Sequence, residues 1–278
     1  MAFPRGSEWR RWDLQVHTPF SSLNNGFGSD LDRYARGLFE AAKAADVRAI
    51  GVTDYFSVEG YASLKTLVRD DRRLEALLGT ELADYARGIL LLPNIELRTT
   101  VLVRDAAGSD SRVNFHVLFS EEVDVQTIED DFLRELHFTA IAGPSQPDES
   151  WSLNRANLES LGNTLKATHA PFAGSTDAFI GMMNAAISHE SVTAVLERQA
   201  SRFGDRYLLV LPADEDLSAV SWNSQGHLQR KLLVQKSHLF FSSNASTRAF
   251  GLGQKHETVP KFVEEFGSLK PGSTEALA

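Results

Sequence analysis

The stretch WDLQVHTPFS, residues 12–21, ends a short apolar run with Gln15-Val16-His17 and then meets Pro19. An apolar run that stops at polar residues and a proline predicts a buried strand that carries polar side chains to its carboxyl end. Side chains two residues apart on a strand point the same way, so we expect Gln15 and His17 on one side and Leu14 and Val16 on the other. A single histidine in this position is often a hydrogen-bonded structural residue, and the rest of the chain must decide between that role and metal binding.

Length and composition limit the classes of protein that the chain can belong to. Its 278 residues suffice for one large α/β or barrel domain, or for two smaller domains. Cysteine is absent, so any metal must be held by His, Asp, Glu, Asn or Gln. The net charge of -9 argues against indiscriminate nucleic-acid binding, although it allows a local basic groove. No apolar run approaches the roughly 20 residues that cross a bilayer, and we predict a cytoplasmic protein without a membrane contact.

Predicted strands and helices alternate along the chain. The predicted strands are residues 12–17, 47–54, 89–97 (a strand pair or one bulged strand), 113–119, 207–211 and 238–242. The predicted helices are residues 31–45, the charged segment 60–88, three stretches across 125–203, and a helix near 227–235. Regular alternation with about seven strands predicts a mostly parallel sheet, and favours a closed or nearly closed barrel over an open sheet.

Four polar residues, one on each of four predicted strands, form a candidate metal site: His17, Asp54, Glu96 and His116. Residues at the carboxyl ends of successive barrel strands meet on one face. Two imidazoles and two carboxylates suit Zn, Mn or Fe, and such an ion lowers the pKa of bound water and offsets charge on a phosphoryl oxygen. Each residue also has a structural alternative: Asp54 can cap the next helix or turn, Glu96 can pair with Arg98, and His116 can be a core histidine.

The same residues carry a resemblance to a known family. The strings DLQVHTPFS, GVTDYFSVEGY, LPNIELR and NFHVLFS resemble the first motifs of the PHP (polymerase and histidinol phosphatase) domain, a distorted seven-stranded (β/α) barrel that binds up to three metal ions. More narrowly, GSEWRRWDLQVHTP, SLNNGFG, LPADEDLS, WNSQGHLQRK, FSSNASTRAFGLG and EEFGSLKP resemble the N-terminal PHP domain of TrlF-like proteins, which is joined to an AAA- or SMC-like ATPase. The resemblance implies that residues 1–278 form a single PHP-like domain of the α/β class, with a distorted (β/α)7 TIM-like barrel.

The resemblance also implies roles for individual residues. In the family pattern, the positions of His17, Asp54, Glu96 and His116 are metal ligands, which implies one or two divalent transition-metal ions. The loop at residues 212–216 (PADED) matches a further ligand-bearing loop, so Asp214 or Glu215 would line the site.

The chain departs from the family pattern at three places. Gln15 stands where the family has its first His, and Tyr55 stands where the second motif has a His, so both are expected to line the site. The closing Gly-Ser-Asp-Ala-His motif, which would follow SLKP, does not occur. The alternatives are a reduced site with one or two metals, a barrel that has lost catalysis, or a fragment separated from its last motif and from an ATPase region.

Other polar residues are weaker candidates. His227, Arg230, Lys231 and Lys236 lie in a predicted helix and, with His238, could present a basic edge to phosphate, although such a cluster is usually a solvated face. Asn244, at the end of a strand, could contact a ligand or simply begin a turn. His137, His189 and His256 have no supporting carboxylate pattern, and we expect them at the surface. The chain has no P-loop motif for ATP.

Two functions from different classes remain open. The first is a metal-dependent phosphoesterase, nuclease-like and acting on phosphodiester bonds of nucleic acid; by resemblance it would serve phage defence with an ATPase partner. The second is a catalytically degenerate, PHP-derived module that senses a ligand or docks on a partner, such as a separately encoded ATPase. A homo-oligomer is compatible with both.

Overall fold

The computed structural model describes residues 10–24, 26–104, 110–141, 150–212, 236–243, 245–246, 249 and 276–277. They form a mixed α/β fold with a curled seven-stranded sheet and a small three-stranded sheet. The predicted helix at 227–235 and five predicted site residues lie outside the described residues, namely Asp214, Glu215, Arg230, Lys231 and Asn244.

The elements are as follows. The strands are β1 Arg11–His17, β2 Val47–Tyr55, β3 Leu90–Arg104, β4 Asp110–Phe119, β5 His137–Ala140, β6 Trp151–Ser152, β7 Ala185–Ala186, β8 Tyr207–Pro212, β9 Leu239–Phe241 and β10 Ala276–Leu277. The helices are α1 Leu31–Ala44, α2 Glu59–Arg69, α3 Asp71–Leu78, α4 Thr80–Arg87, α5 Val125–Ile128, α6 Arg155–Thr168, α7 Asp177–Asn184, α8 His189–Arg198 and α9 Ala200–Phe203. A π-helical turn, Glu129–Leu133, follows α5, and a 3-10 turn, Ala170–Phe172, follows α6.

The large sheet has the order β1-β2-β3-β4-β8-β9-β10. Its neighbours are parallel except at β4, which runs antiparallel to both β3 and β8. The described sheet is thus mostly parallel, as predicted, and β4 is the strand that departs from this pattern. Only residues 105–109 separate β3 from β4, and a parallel return would need a crossover of about a dozen residues or more. In the described part of the chain β1 and β10 end the sheet, and a complete barrel is not confirmed.

Helix α1 shows why the first predicted unit forms as expected. The Asp30 side chain accepts a hydrogen bond from the backbone N of Arg33 at 3.0 Å and so caps the helix. Tyr34, Ala35 and Phe39 lie at helical spacing and are buried. This apolar stripe packs into the main core together with residues of β2.

The region 125–203 contains more structure than the three predicted helical stretches. It holds five helices and the small sheet, whose order is β6-β5-β7. Strands of two to four residues are too short to show a hydrophobic period, which is why the sequence did not reveal them. An isolated bridge between Thr99 and Ile187 connects this region to β3.

A β-bulge in β1 changes which side chains enter the site. The pairing of β1 with β2 slips by one residue between residues 13 and 16. As a result Leu14 is buried in a small cluster with Leu118 and Val210, whereas Gln15 is exposed. The prediction that Gln15 and His17 share one side, and that Leu14 lies on the other, is therefore wrong.

The two faces of the large sheet have different partners. Phe115 and Val117 of β4 belong to the main core, which includes residues of the helices. Leu118 lies between Val117 and Phe119 in the sequence and therefore points to the opposite face. It joins the small cluster with Leu14 and Val210. Among the described helices none is long and apolar enough to span a membrane.

Candidate metal centre

The register of four neighbouring strands brings His17, Tyr55, Glu96 and His116 to one face of the sheet. Glu96 lies directly opposite His116 across the β3–β4 pair, and Tyr55 pairs with Glu96 across β2–β3. Residues opposite one another on paired strands point to the same side. Tyr55 is half-buried, and the other three side chains are buried.

Glu96 is the meeting point of the two histidines. His17 Nε2 lies 3.3 Å from Glu96 Oε2, and His116 Nε2 lies 3.8 Å from Glu96 Oε1. Ligand atoms held at about 2.1 Å by a tetrahedral ion stand about 3.4 Å apart, so these separations fit a shared cation. As placed in the structure, no group of three or more His, Asp or Glu side chains within the described ranges could hold a metal ion. The three side chains meet pairwise at Glu96.

Two buried atoms of this group lack hydrogen-bond partners among the described residues. They are Glu96 Oε2 and His116 Nε2. The contact between His17 and Glu96 Oε2 is short but lacks the geometry of a hydrogen bond. Buried polar atoms are nearly always satisfied in native proteins, and a divalent cation would satisfy both of these. The donor types therefore suit a divalent ion, while the described side chains meet only in pairs at Glu96.

Electrostatics keep Glu96 ionised at neutral pH. Burial alone would raise the pKa of Glu96, but the neighbouring His17, the field of His116 and the nearby Tyr55 hydroxyl hold this pKa below its usual value. Burial lowers the pKa of His116 to about 4, although the neighbouring carboxylate opposes the shift. Glu96 is thus ionised and His116 neutral at pH 7, which is the state that metal binding requires of both.

The orientation of His17 is fixed from three sides. Its Nδ1 lies 3.0 Å from the Ser21 hydroxyl, and its ring stacks on Tyr55 with 5.4 Å between the ring centroids. The Tyr34 hydroxyl donates a 2.7 Å hydrogen bond to the carbonyl oxygen of His17. These contacts leave Nε2 as the ring atom that faces Glu96.

Tyr55 occupies the position at which the PHP pattern has a histidine, and Asn114 links it to Glu96. Asn114 Nδ2 donates to Glu96 Oε1 at 2.6 Å and to the Tyr55 hydroxyl at 3.4 Å. Burial raises the pKa of Tyr55, so the hydroxyl keeps its proton. Tyr55 is therefore a protonated neighbour of Glu96.

Asp54 points to the other side of β2, toward the start of α2. Thr18 Oγ1 donates to Asp54 Oδ1 at 2.7 Å, and the backbone N of Gly60 donates to Oδ2 at 2.8 Å. Burial raises the pKa of Asp54 to about 6, even though both hydrogen bonds favour the charged form. The capping alternative for Asp54 is confirmed, while its role as a ligand stays a prediction.

Sequence reasoning missed several neighbours of the site and misplaced one histidine. Asn94 and Asn114 lie two residues before Glu96 and His116, so the strand period could have placed them on the same face. His189, expected at the surface, is 3% exposed and packs edge-to-face on Phe115, with ring centroids 4.6 Å apart. That prediction was wrong because His189 begins helix α8, whose apolar stripe enters the main core.

The comparisons with known proteins are limited. The sequence matches no protein-family model, and it matches no curated protein. A crystal structure of a Bifidobacterium adolescentis protein, provisionally described as a metal-dependent phosphoesterase, aligns with 82% of this chain and 74% of its own, at 14% identity and a TM-score of 0.35. A likeness of this size does not establish a shared chemistry, so the resemblance to PHP domains stays a prediction.

Proposed function

We propose that the chain is a divalent-metal-dependent phosphoesterase with His17, Glu96 and His116 as metal ligands. The observation that supports the proposal is the presence of two buried atoms without partners in the described residues, Glu96 Oε2 and His116 Nε2, on adjacent strands. Two imidazoles and one carboxylate form a ligand set that hydrolytic zinc enzymes use, and Mn or Fe accept the same atoms. When bound, such an ion lowers the pKa of a coordinated water and offsets charge on a phosphoryl oxygen.

The neighbouring side chains prepare the ligands. The hydrogen bond from Asn114 and the nearby Tyr55 hydroxyl stabilise the charged form of Glu96. The Ser21 hydroxyl and the Tyr55 ring hold His17 with Nε2 toward Glu96. One ion accounts for the three ligands, and a second ion would need Asp54 or a residue outside the described ranges.

The finer proposals rest on the sequence resemblance alone. We propose a phosphodiester of nucleic acid as the substrate, which makes the enzyme a nuclease. The biological setting proposed on the same ground is antiphage defence together with an AAA- or SMC-like ATPase.

One observation favours a second candidate, a non-catalytic module that senses a ligand or docks on a partner. Tyr55 stands in place of a family ligand and is a protonated neighbour of Glu96, so the ligand set is smaller than the family pattern. A barrel with this reduced set could bind one ion, or a ligand, without hydrolysis.

The test combines activity with metal content. Protein loaded with Mn, Zn or Fe would be assayed on a chromogenic phosphodiester and on single- and double-stranded nucleic acids. We expect His17→Ala to lose more activity than the roughly 100-fold that loss of an outer partner of a ligand can cause. Gln15→Ala, on the exposed side of the same strand, is the matched control and should keep full activity. Equal activity in the wild type and His17→Ala would contradict the proposal, and metal binding without hydrolysis would favour the second candidate.

A further inference from the structure

Asn94, buried beneath the candidate metal centre, has an amide group whose orientation the network fixes. Its Nδ2 donates to the carbonyl oxygen of Leu14 at 2.7 Å and to Thr53 Oγ1 at 2.9 Å. The Thr53 hydroxyl donates its own hydrogen to the carbonyl oxygen of Gly51 at 3.0 Å, so Thr53 Oγ1 acts as an acceptor toward Asn94. Both atoms that face Nδ2 are acceptors, and the amide cannot be reversed without losing both hydrogen bonds.

The fixed amide determines which nitrogen of His116 carries a hydrogen. Asn94 Oδ1 lies 3.2 Å from His116 Nδ1. A carbonyl oxygen can only accept, so Nδ1 must be the donor, and in the neutral ring Nε2 then carries the lone pair. His116 is fully buried, and no described residue donates a hydrogen bond to its Nε2.

We infer that Asn94 is a positioning residue that holds His116 in the Nδ1–H tautomer and thereby directs the Nε2 lone pair toward Glu96. The Glu96 Oε1 atom, 3.8 Å from Nε2, is itself an acceptor and lies beyond hydrogen-bond distance. Two acceptors that face each other in a buried space attract a cation. The metal-affinity part of this inference rests on the proposed function, but the tautomer assignment does not.

The network links the first strand to the fourth. The β-bulge of β1 moves the Leu14 carbonyl toward the interior, where a Cβ atom added at Gly51 would lie 2.1 Å from the Leu14 oxygen. Only glycine fits at position 51 with this bulge. The chain of contacts then runs from Leu14 through Asn94 to His116, so a backbone group of β1 sets the chemical form of a side chain on β4.

Nitrogen NMR of protein labelled with 15N-histidine reads the tautomer directly, because protonated and bare ring nitrogens have distinct chemical shifts. The protein has eight histidines, and the His116 signals would be assigned from their loss in His116→Gln. In metal-free wild type we expect a protonated Nδ1 and a bare Nε2 at neutral pH. A protonated Nε2 would overturn the inference.

Two variants separate positioning from simple structural support. Asn94→Leu removes the acceptor, so we expect a mixture of tautomers and a loss of about 10- to 100-fold in zinc affinity. Thr53→Val removes one acceptor of Nδ2 but keeps the Leu14 carbonyl, so we expect the Nδ1–H tautomer to persist. Retention of both the tautomer and the zinc affinity in Asn94→Leu would overturn the inference. A wild type that shows the tautomer but binds no zinc would instead count against the proposed function.

Discussion

The Glu96 carboxylate stays ionised at neutral pH, although its side chain is only 2% exposed. The contacts of Glu96 hold its pKa below the usual value, so the folded state favours the charged form of this side chain. We therefore expect Glu96→Gln, without metal, to lower the free energy of unfolding at neutral pH by about 1–3 kcal/mol. The stabilisation that added zinc gives to the wild type should disappear in this variant.

The measurement for Glu96→Gln is urea unfolding with and without zinc. Glu59→Gln, at an exposed position of α2, is the control that should keep the response to zinc. If Glu96→Gln gains as much stability from zinc as the wild type does, Glu96 is not a ligand.

His189 predicts a pH dependence of stability that is separate from the metal centre. Burial lowers its pKa to about 4, with Lys236 adding to the shift and Glu190 opposing it. The unfolded chain takes up this proton below about pH 6.5 and the folded chain does not, so stability is fully present above pH 6.5 and falls as the pH drops toward 4. Between pH 7.5 and 5 this histidine should lower the free energy of unfolding by about 2 kcal/mol.

Urea titrations at the two pH values would measure this change. In His189→Leu the loss between pH 7.5 and 5 should shrink by about that amount relative to the wild type. An unchanged loss would show that His189 does not titrate in this way.

Single residues of the candidate metal centre could be predicted from their position at strand ends, but their contacts could not. His17 and Glu96 were found because each ends or interrupts an apolar run. Asn94 was not found, because its importance depends on a backbone carbonyl 80 positions away in the chain. The sequence left Asp54 open between a ligand and a cap, because only the hydrogen bonds from Thr18 and Gly60 show what its carboxylate contacts.

Among the elements, the start of α2 depends on close approach to Asp54. A Cβ atom added at Gly60 would lie 2.3 Å from both Asp54 Oδ2 and Thr18 Oγ1. We expect Gly60→Ala to lower the free energy of unfolding by about 1–3 kcal/mol, because the added methyl group forces these buried side chains apart.

Gly37→Ala is the matched control for Gly60→Ala, since both glycines lie in helices. Nothing lies within 4 Å of a Cβ atom added at Gly37, so alanine there should raise stability by up to about 1 kcal/mol. Chemical unfolding of both variants and of the wild type would measure these changes in the free energy of unfolding. Equal effects would mean that the packing around Asp54 is looser than the structure shows.

The elements themselves could be predicted where they are long and periodic. Helix α1 and strand β2 were predicted correctly, because each shows a clear hydrophobic pattern and a distinct end. The reversed direction of β4 could not be predicted, because the predicted strands at 89–97 and 113–119 left a connection long enough for a crossover. The observed strands are longer and leave only residues 105–109 between them. The β1 bulge could not, because one extra residue leaves no mark on the hydrophobic pattern.

For the whole molecule, a metal ion would join strands that are far apart in sequence. The three proposed ligands lie on β1, β3 and β4, so binding should stabilise the folded state of the sheet as a unit. At a free metal concentration 100 times the dissociation constant, the gain is about 2.7 kcal/mol. Calorimetry should show a higher unfolding temperature with zinc or manganese, and a chelator should reverse it. An unfolding temperature that none of Zn, Mn or Fe raises would contradict the proposed site.

The global architecture could be predicted only in outline. The alternation of strands and helices predicted the α/β class. The structure confirms this class with a seven-stranded sheet, whose main core also includes apolar residues of the helices. Closure of the sheet into a barrel depends on pairing between its ends, which local sequence patterns do not encode.

The most direct test of the metal centre is anomalous diffraction from crystals of protein loaded with zinc or manganese. We expect a peak within about 2.0–2.2 Å of His17 Nε2, His116 Nε2 and a Glu96 oxygen. No peak at this position, or a peak that none of these three side chains contacts, would contradict it.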